Sequence, residues 1–162
     1  MVENVQGSAL DLPIIDANLR RRVKIEAIDI DVVDHETVGT NEIVRDRTLV
    51  KYCYVDPLYP KDNESDATEC AGDEVQGRLE WACSLIPGSG GAVRLGITLS
   101  MYEGVTCSTK GSPDKTASAE LIVQPCPPSG CGSGFDGPVS LVASDGANEV
   151  RVLVRASNEL AP

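Results

Sequence analysis

The alternation of apolar and polar residues along most of the chain constrains its fold more than any other feature. It is clearest in residues 93–102, where the apolar positions are Val93, Leu95, Ile97, Leu99 and Met101. A period of two is typical of a β-strand that is buried on one face. The same alternation recurs in residues 75–85, 117–123 and 150–156, whereas helical periodicity is nearly absent. The chain is therefore predicted to be all-β.

The other apolar segments complete a predicted set of about seven or eight strands. Residues 139–143 lead through the turn "SDGANE" into the last strand, as in a hairpin. Residues 43–55 are rich in β-branched residues and tyrosine, and are assigned to one segment. In residues 23–32 the apolar positions change from odd to even, which predicts a β-bulge near Ala27. These features favour a single antiparallel β-sandwich, with a barrel as the alternative.

Residues 1–18 are predicted to form an N-terminal arm, and residues 19–162 the sandwich domain. The arm has no turn punctuation and a single apolar patch, "ALDLPII". Such a segment is either a disordered tail or an arm that pairs as a strand. Pairing with a neighbouring subunit would make the partner another protein or a second copy of the chain.

The charge balance limits the classes of partner. The 162 residues include 14 Lys and Arg against 25 Asp and Glu, a formal net charge of -11. An acidic protein of this kind repels nucleic acid and anionic membranes, so neither is an expected partner. No segment approaches a transmembrane span, so membrane insertion is not expected. The first 22 residues lack a signal-peptide pattern, which predicts a mature form or another export route.

Six cysteines point to an oxidising compartment. They lack CxxC spacing, and the chain has one histidine, which disfavours a tetrahedral zinc site. An even number of cysteines without metal spacing indicates disulfide bonds and an extracellular or cell-surface location. Buried free thiols are the alternative.

The pairing of the cysteines follows from loop and hairpin geometry. "CPPSGC" brings Cys126 and Cys131 together through a short bend. Counting outward from the turn "PGSGGA" of a hairpin of residues 75–85 and 93–102 places Cys107 opposite about residue 72, within reach of Cys70. Cys53 and Cys83 remain, and would join two strands through the core.

The stretch from Asp29 to Glu42 is the principal candidate for a cation site. Calcium binds six to eight oxygen atoms at about 2.3–2.6 Å. This stretch supplies five carboxylates and one amide without EF-hand spacing: Asp29, Asp31, Asp34, Glu36, Asn41 and Glu42. Without a cation these carboxylates would repel one another. Calcium is the expected cofactor, and a solvated acidic face is the alternative. The chain also contains a second acidic stretch, residues 55–74. The sequence does not define whether it lies at the same end of the fold as the first.

Two loops resemble those of small β-sandwich modules in extracellular bacterial proteins, some of them calcium-stabilised and C2-like in shape. The segments are "DHETVGTNE" and "SMYEGVTCSTKGSPDKT" with their flanking strands. The resemblance implies a non-catalytic module, with Asp31, Asp34, Glu36 and Glu42 near a cation.

The chain contains no GxSxG, HExxH, P-loop or dinucleotide-binding motif, and His35 is predicted to be an exposed turn residue. The expected function is therefore a non-enzymatic, secreted structural protein for assembly, cell adhesion or display. One alternative is a carbohydrate-binding module with a glycan ligand, which needs exposed aromatic rings. Another is a protease inhibitor that presents "CPPSGC". A hydrolase would need a cleft that unites carboxylates from separate loops.

Overall fold

The computed structural model describes residues 20–104 and 106–162, which form nine β-strands. The strands are β1 (Arg21–Asp34), β2 (Glu42–Asp46), β3 (Leu49–Val55), β4 (Lys61–Ala67), β5 (Val75–Leu85), β6 (Val93–Glu103), β7 (Lys115–Val123), β8 (Asp136–Ser144) and β9 (Glu149–Leu160). The predicted N-terminal arm and residue 19 lie outside the described residues. Within these residues, no helix is long and apolar enough to cross a membrane.

The nine strands form two antiparallel sheets. Sheet A has the order β2-β1-β9-β8, with β3 also paired to β1, and sheet B has the order β4-β5-β6-β7. The prediction of an all-β antiparallel sandwich is confirmed, although the described residues contain nine strands rather than about seven or eight.

The difference in number has two physical causes. The segment 43–55 divides into β2 and β3, which pair with separate halves of β1 on either side of its irregularity. Residues 61–67, predicted to belong to an acidic loop, form the edge strand β4. Backbone hydrogen bonds to β5 hold β4 in place, and its polar side chains suit an edge that must not pair further.

A β-bulge in β1 determines which residues of this strand point into the sandwich. It lies between Ile28 and Asp31, slightly later than the predicted position near Ala27, and Asp29 has φ +50°. Before the bulge the odd-numbered residues are buried, and after it the even-numbered ones are. As a result, Asp34 points inward and Asp31 points outward.

The core consists of aliphatic side chains from the inner faces of both sheets. Trp81 is the largest of the fully buried side chains in the described residues. The disulfide Cys53–Cys83 joins β3 of sheet A to β5 of sheet B inside this core. The other two disulfides, Cys70–Cys107 and Cys126–Cys131, join loops and strand ends, so the structure contains the three pairs that the sequence favoured.

A hydrogen-bond network closes the end of the sandwich near Arg21. The buried Asn158 accepts a bond of 2.8 Å from Nε of Arg21 at its Oδ1. Its Nδ2 donates to the carbonyl oxygens of Gly91 and Val123, at 2.7 and 3.1 Å. Since Asn158 belongs to sheet A and Val123 to sheet B, one buried amide satisfies polar groups from both sheets.

The lengths of the closed loops predict unequal contributions from the disulfides. Loop-closure entropy assigns about 3–4 kcal/mol to a link across the 30-residue separation of Cys53 and Cys83, and about 2 kcal/mol across the 5-residue separation of Cys126 and Cys131. Urea unfolding of Cys53→Ala/Cys83→Ala should therefore show the larger loss in the free energy of unfolding. Equal losses for Cys126→Ala/Cys131→Ala would contradict a core-spanning role for Cys53–Cys83.

Candidate metal centre

Three carboxylates converge at the end of the sandwich opposite Asn158. Asp34 is the last residue of β1, Glu42 is the first residue of β2, and the two are cross-strand partners. Glu36 lies in the loop between them. One oxygen from each of the three lies within 4.8 Å of the others. Like charges directly opposite each other on paired strands destabilise a sheet, so this arrangement requires a compensating charge or a proton.

The burial of Asp34 increases the need for a compensating charge or a proton. Asp34 is only 2 % exposed, and its Oδ2 has no hydrogen-bond partner in the described part of the chain. Leaving a buried carboxylate oxygen without a hydrogen-bond partner is unfavourable unless the group is neutralised or paired. A cation between the three carboxylates would remove this cost.

Gly72 allows the carboxylates to come together. A Cβ added at this position would lie 1.9 Å from Oδ2 of Asp34 and 2.3 Å from Oε2 of Glu42. Gly72 also has φ +61°, which disfavours any residue with a side chain. Two carboxylate oxygens therefore occupy the space that a side chain at this position would fill.

The turn that carries Gly72 is held on several sides. The amide groups of Ala71 and Val75 each donate to the carbonyl oxygen of the other, at 2.9 and 3.0 Å. Cys70 begins the turn and is linked to Cys107. The turn leads into β5 of sheet B, whereas Asp34 and Glu42 belong to sheet A, so the cluster lies where the two sheets meet.

The electrostatics of Glu36 reflect the crowding of negative charge. Repulsion by Asp34 is the largest influence that raises the pKa of Glu36, followed by desolvation and by repulsion from Glu74 and Glu42. Glu74 lies in the same turn as Gly72, so the last part of the second acidic stretch contributes to the site. The first part of that stretch forms β4 instead.

Two of the six predicted ligands lie elsewhere, and one has a different role. Asp29 is exposed in the bulge, and Asp31 points to the outer surface, where its Oδ1 lies 3.8 Å from Nε of Arg45. The bulge turns these two side chains away from Asp34, so the structure does not bring them to the cluster. Asn41 lies beside the cluster, and its Oδ1 accepts a 3.2 Å hydrogen bond from the amide of Glu36, which holds the loop.

Gly72 and Glu74 were missed because they are about 30 positions farther along the chain. The doublet "GD", with two successive left-handed residues at Gly72 and Asp73, is typical of a tight turn. That signal could have predicted the turn, but not its contact with Asp34.

A second carboxyl pair lies beside the cluster. Asn148 accepts a hydrogen bond from the amide of His35 and donates one to Oε1 of Glu103, at 2.7 and 2.9 Å. A hydrogen bond with Asp145, together with burial, raises the pKa of Glu103. The same hydrogen bond and the amide of Ala147 lower the pKa of Asp145.

The donor set of the cluster is restricted to oxygen. Hard cations such as calcium and magnesium take oxygen ligands, whereas softer metals favour nitrogen or sulfur. Cys70 and Cys107 are bonded to each other and offer no thiolate. Asp34, Glu36 and Glu42 therefore form an oxygen-only cluster that could hold a metal ion.

The other predicted features have clear positions. An open depression of about 600 Å³ on the outer face of sheet B is lined mainly by small and polar residues, and its one aromatic lining residue, Trp81, is buried. It therefore offers no exposed ring for sugar stacking. The segment "CPPSGC" forms a surface loop in which Pro127, Pro128 and Ser129 are exposed.

No protein-family model, curated protein or solved structure matches the chain. The resemblance to C2-like modules remains a prediction that rests on the two loops.

The space at Gly72 predicts a position-specific effect of an added methyl group. Gly72→Ala should lower the free energy of unfolding by about 2–4 kcal/mol, since it combines backbone strain with crowding of two carboxylates. Gly132→Ala is the matched control, because Gly132 has φ +59° with nothing within 4 Å of an added Cβ. Equal losses in urea unfolding would show that backbone strain alone accounts for the effect.

Removing the charge of Glu36 should have a pH-dependent effect. A carboxyl group whose pKa is raised in the folded state binds its proton more tightly when folded, so its ionisation at neutral pH opposes folding. Without divalent cations, Glu36→Gln should therefore raise the melting temperature at neutral pH. The gain should shrink towards pH of about 4, where Glu36 itself becomes protonated. A gain that is constant with pH would exclude charge repulsion as its cause.

Proposed function

We propose that the chain is a non-catalytic structural module that acts in assembly, adhesion or display at the cell surface or outside the cell. Three disulfides support an oxidising compartment. A net charge of -11 supports an environment rich in salt or calcium, in which the self-repulsion of the folded chain is reduced.

Calcium is the proposed stabilising ion, and the buried Asp34 carboxylate is the observation that carries this proposal. Asp34 provides a fixed inner ligand, and Glu36 and Glu42 provide ligands on the solvent side. Calcium accepts irregular oxygen geometries, whereas magnesium requires near-octahedral coordination. Three unequally buried carboxylates from a strand end and a loop suit the more tolerant ion.

The role of the ion is structural. A bound cation would offset the repulsion between the ends of β1 and β2 and hold them against the Gly72 turn of sheet B. The ion thus performs at this end of the sandwich what Asn158 performs at the other end by hydrogen bonding.

Thermal unfolding with calcium and with EDTA, under non-reducing conditions, tests the proposal. Calcium at a hundredfold excess over Kd adds about 2.7 kcal/mol, which raises the melting temperature of a domain of this size by about 5–10 °C. Asp34→Asn should abolish the calcium response and also raise the melting temperature in EDTA, because it removes one of three neighbouring carboxylates that repel one another.

Asp31→Asn is the matched control, since Asp31 is an aspartate of the same strand that points away from the cluster. It should leave the calcium response unchanged. No response in the wild-type chain, or a response that Asp31→Asn abolishes and Asp34→Asn does not, would overturn the site.

A further inference from the structure

The outer face of sheet A differs sharply from that of sheet B. We define it as the side chains of sheet A that point away from sheet B, together with Phe135, whose ring packs against Arg155. Ten large hydrophobic residues are exposed in the described part of the chain, and five of them lie on this face: Ile43, Val50, Tyr52, Phe135 and Val142. The outer face of sheet B carries one, Ile122. One face of the sandwich therefore presents most of the apolar surface that its strands expose.

The aromatic residues of this face are fixed by arginine side chains. The guanidinium carbon of Arg155 lies 4.4 Å from the centre of the Phe135 ring, and Arg22 lies 5.4 Å from that of Tyr52. Arg20 lies 4.5 Å from the Tyr54 ring. Tyrosine, phenylalanine and arginine are the residues most enriched in protein interfaces, and held in place they lose little entropy on binding.

The charge of this face is opposite in sign to that of the whole chain. Its strands carry five cations and four carboxylates, and Arg20 just before β1 and the exposed Asp29 of the bulge add one charge of each sign. The formal charge is therefore +1 against -11 for the chain, and the charged residues of the strands are Arg22, Lys24, Arg45, Arg151 and Arg155, and Glu26, Asp31, Glu149 and Glu159. Each of the four carboxylates is ion-paired with a cation of the same face. Two copies of so acidic a chain repel each other, and this face is where they can approach with the least repulsion.

The area of the face is sufficient for a stable contact. β9 has 12 residues and spans about 40 Å at about 3.3 Å per residue. Four strands side by side, at about 4.8 Å spacing, are about 19 Å wide. The product, about 750 Å², is close to the roughly 800 Å² that each partner buries in a standard interface.

We propose that a second copy of this chain docks on the outer face of sheet A, face to face, in a two-fold symmetric dimer. The proposal rests on the assembly function proposed above and names its partner and its surface. A two-fold contact uses the same patch on both copies, which suits a face whose charges are already paired internally.

Light scattering and sedimentation of the full chain over a range of concentrations test the proposal. The mass should rise from 17.1 kDa to twice that value as the concentration increases. Tyr52→Glu and Val142→Glu, on opposite sides of the face, should each weaken the dimer at least tenfold. Ile122→Glu is the matched control, because Ile122 and Tyr52 are both 38 % exposed but Ile122 lies on sheet B. Melting temperatures of all three variants check that they fold.

The change of the dimerisation affinity with salt concentration distinguishes this contact from a head-to-tail contact. In a head-to-tail contact, the acidic end of one copy would bind the same face of another. Between about 0.1 M and 1 M salt, the Debye length falls from about 10 Å to about 3 Å. A face-to-face dimer should tighten because repulsion between the copies is screened, whereas a head-to-tail contact should weaken. Weakening would overturn the proposed geometry.

The remaining outcomes separate this inference from the proposed function. A chain that is monomeric at every concentration overturns both the dimer and the assembly role. Oligomers that persist unchanged in Tyr52→Glu and Val142→Glu overturn this face but leave assembly standing. The calcium response is measured separately and depends on neither result.

Discussion

The bulge at Asp29 in β1 determines which side chains point between the sheets at one end of the molecule. Up to Ala27, the buried positions of β1 are odd-numbered, and from Ile30 they are even-numbered. This change directs Asp34 into the space between the sheets and leaves Asp31 on the outer surface. It also divides the neighbouring edge into β2 and β3, which pair with β1 on either side of the irregularity. The inward carboxylate and the strand that carries Glu42 thus have a common origin.

The two ends of the sandwich place different polar groups between the two sheets. At one end, the neutral side chain of Asn158 satisfies backbone carbonyls and accepts a hydrogen bond from Arg21. At the other end, Asp34, Glu36 and Glu42 face the Gly72 turn and leave Oδ2 of Asp34 without a partner. The polar groups of the first end satisfy one another, whereas at the second end the proposed cation would offset the charge of the three carboxylates. The disulfide Cys70–Cys107 holds the turn in position for either state.

The outer faces of the two sheets also differ from each other. Sheet B presents small and polar side chains around a shallow depression, which is a surface suited to solvent. Sheet A presents three arginine–aromatic pairs and a set of internally paired charges. Because both faces belong to the same thin sandwich, this asymmetry does not arise from the needs of the core. The dimer proposed for the outer face of sheet A would account for it.

The amino-acid sequence by itself determined the all-β class, the antiparallel strands and the three cysteine pairs. The class, the strands and two of the pairs depend on period-two alternation, on hairpin turns and on short loops, which are local properties of the chain, whereas Cys53–Cys83 was the pair that remained. The acidic stretch from Asp29 to Glu42 was also evident, and Asp34, Glu36 and Glu42 do come together. The sequence did not predict the strand β4. Its residues are polar, and they form a strand only because their backbone groups bond to those of β5.

Only the tertiary structure decided which carboxylates meet and what they meet. Asp29 and Asp31 are close to Asp34 along the chain but not in space, because side-chain direction in a strand depends on where the bulge lies. Gly72 and Glu74 are distant along the chain but adjacent to the cluster, because the packing of two sheets brings their loops to one end. Proximity of this kind results from the whole fold, and no local pattern of residues encodes it.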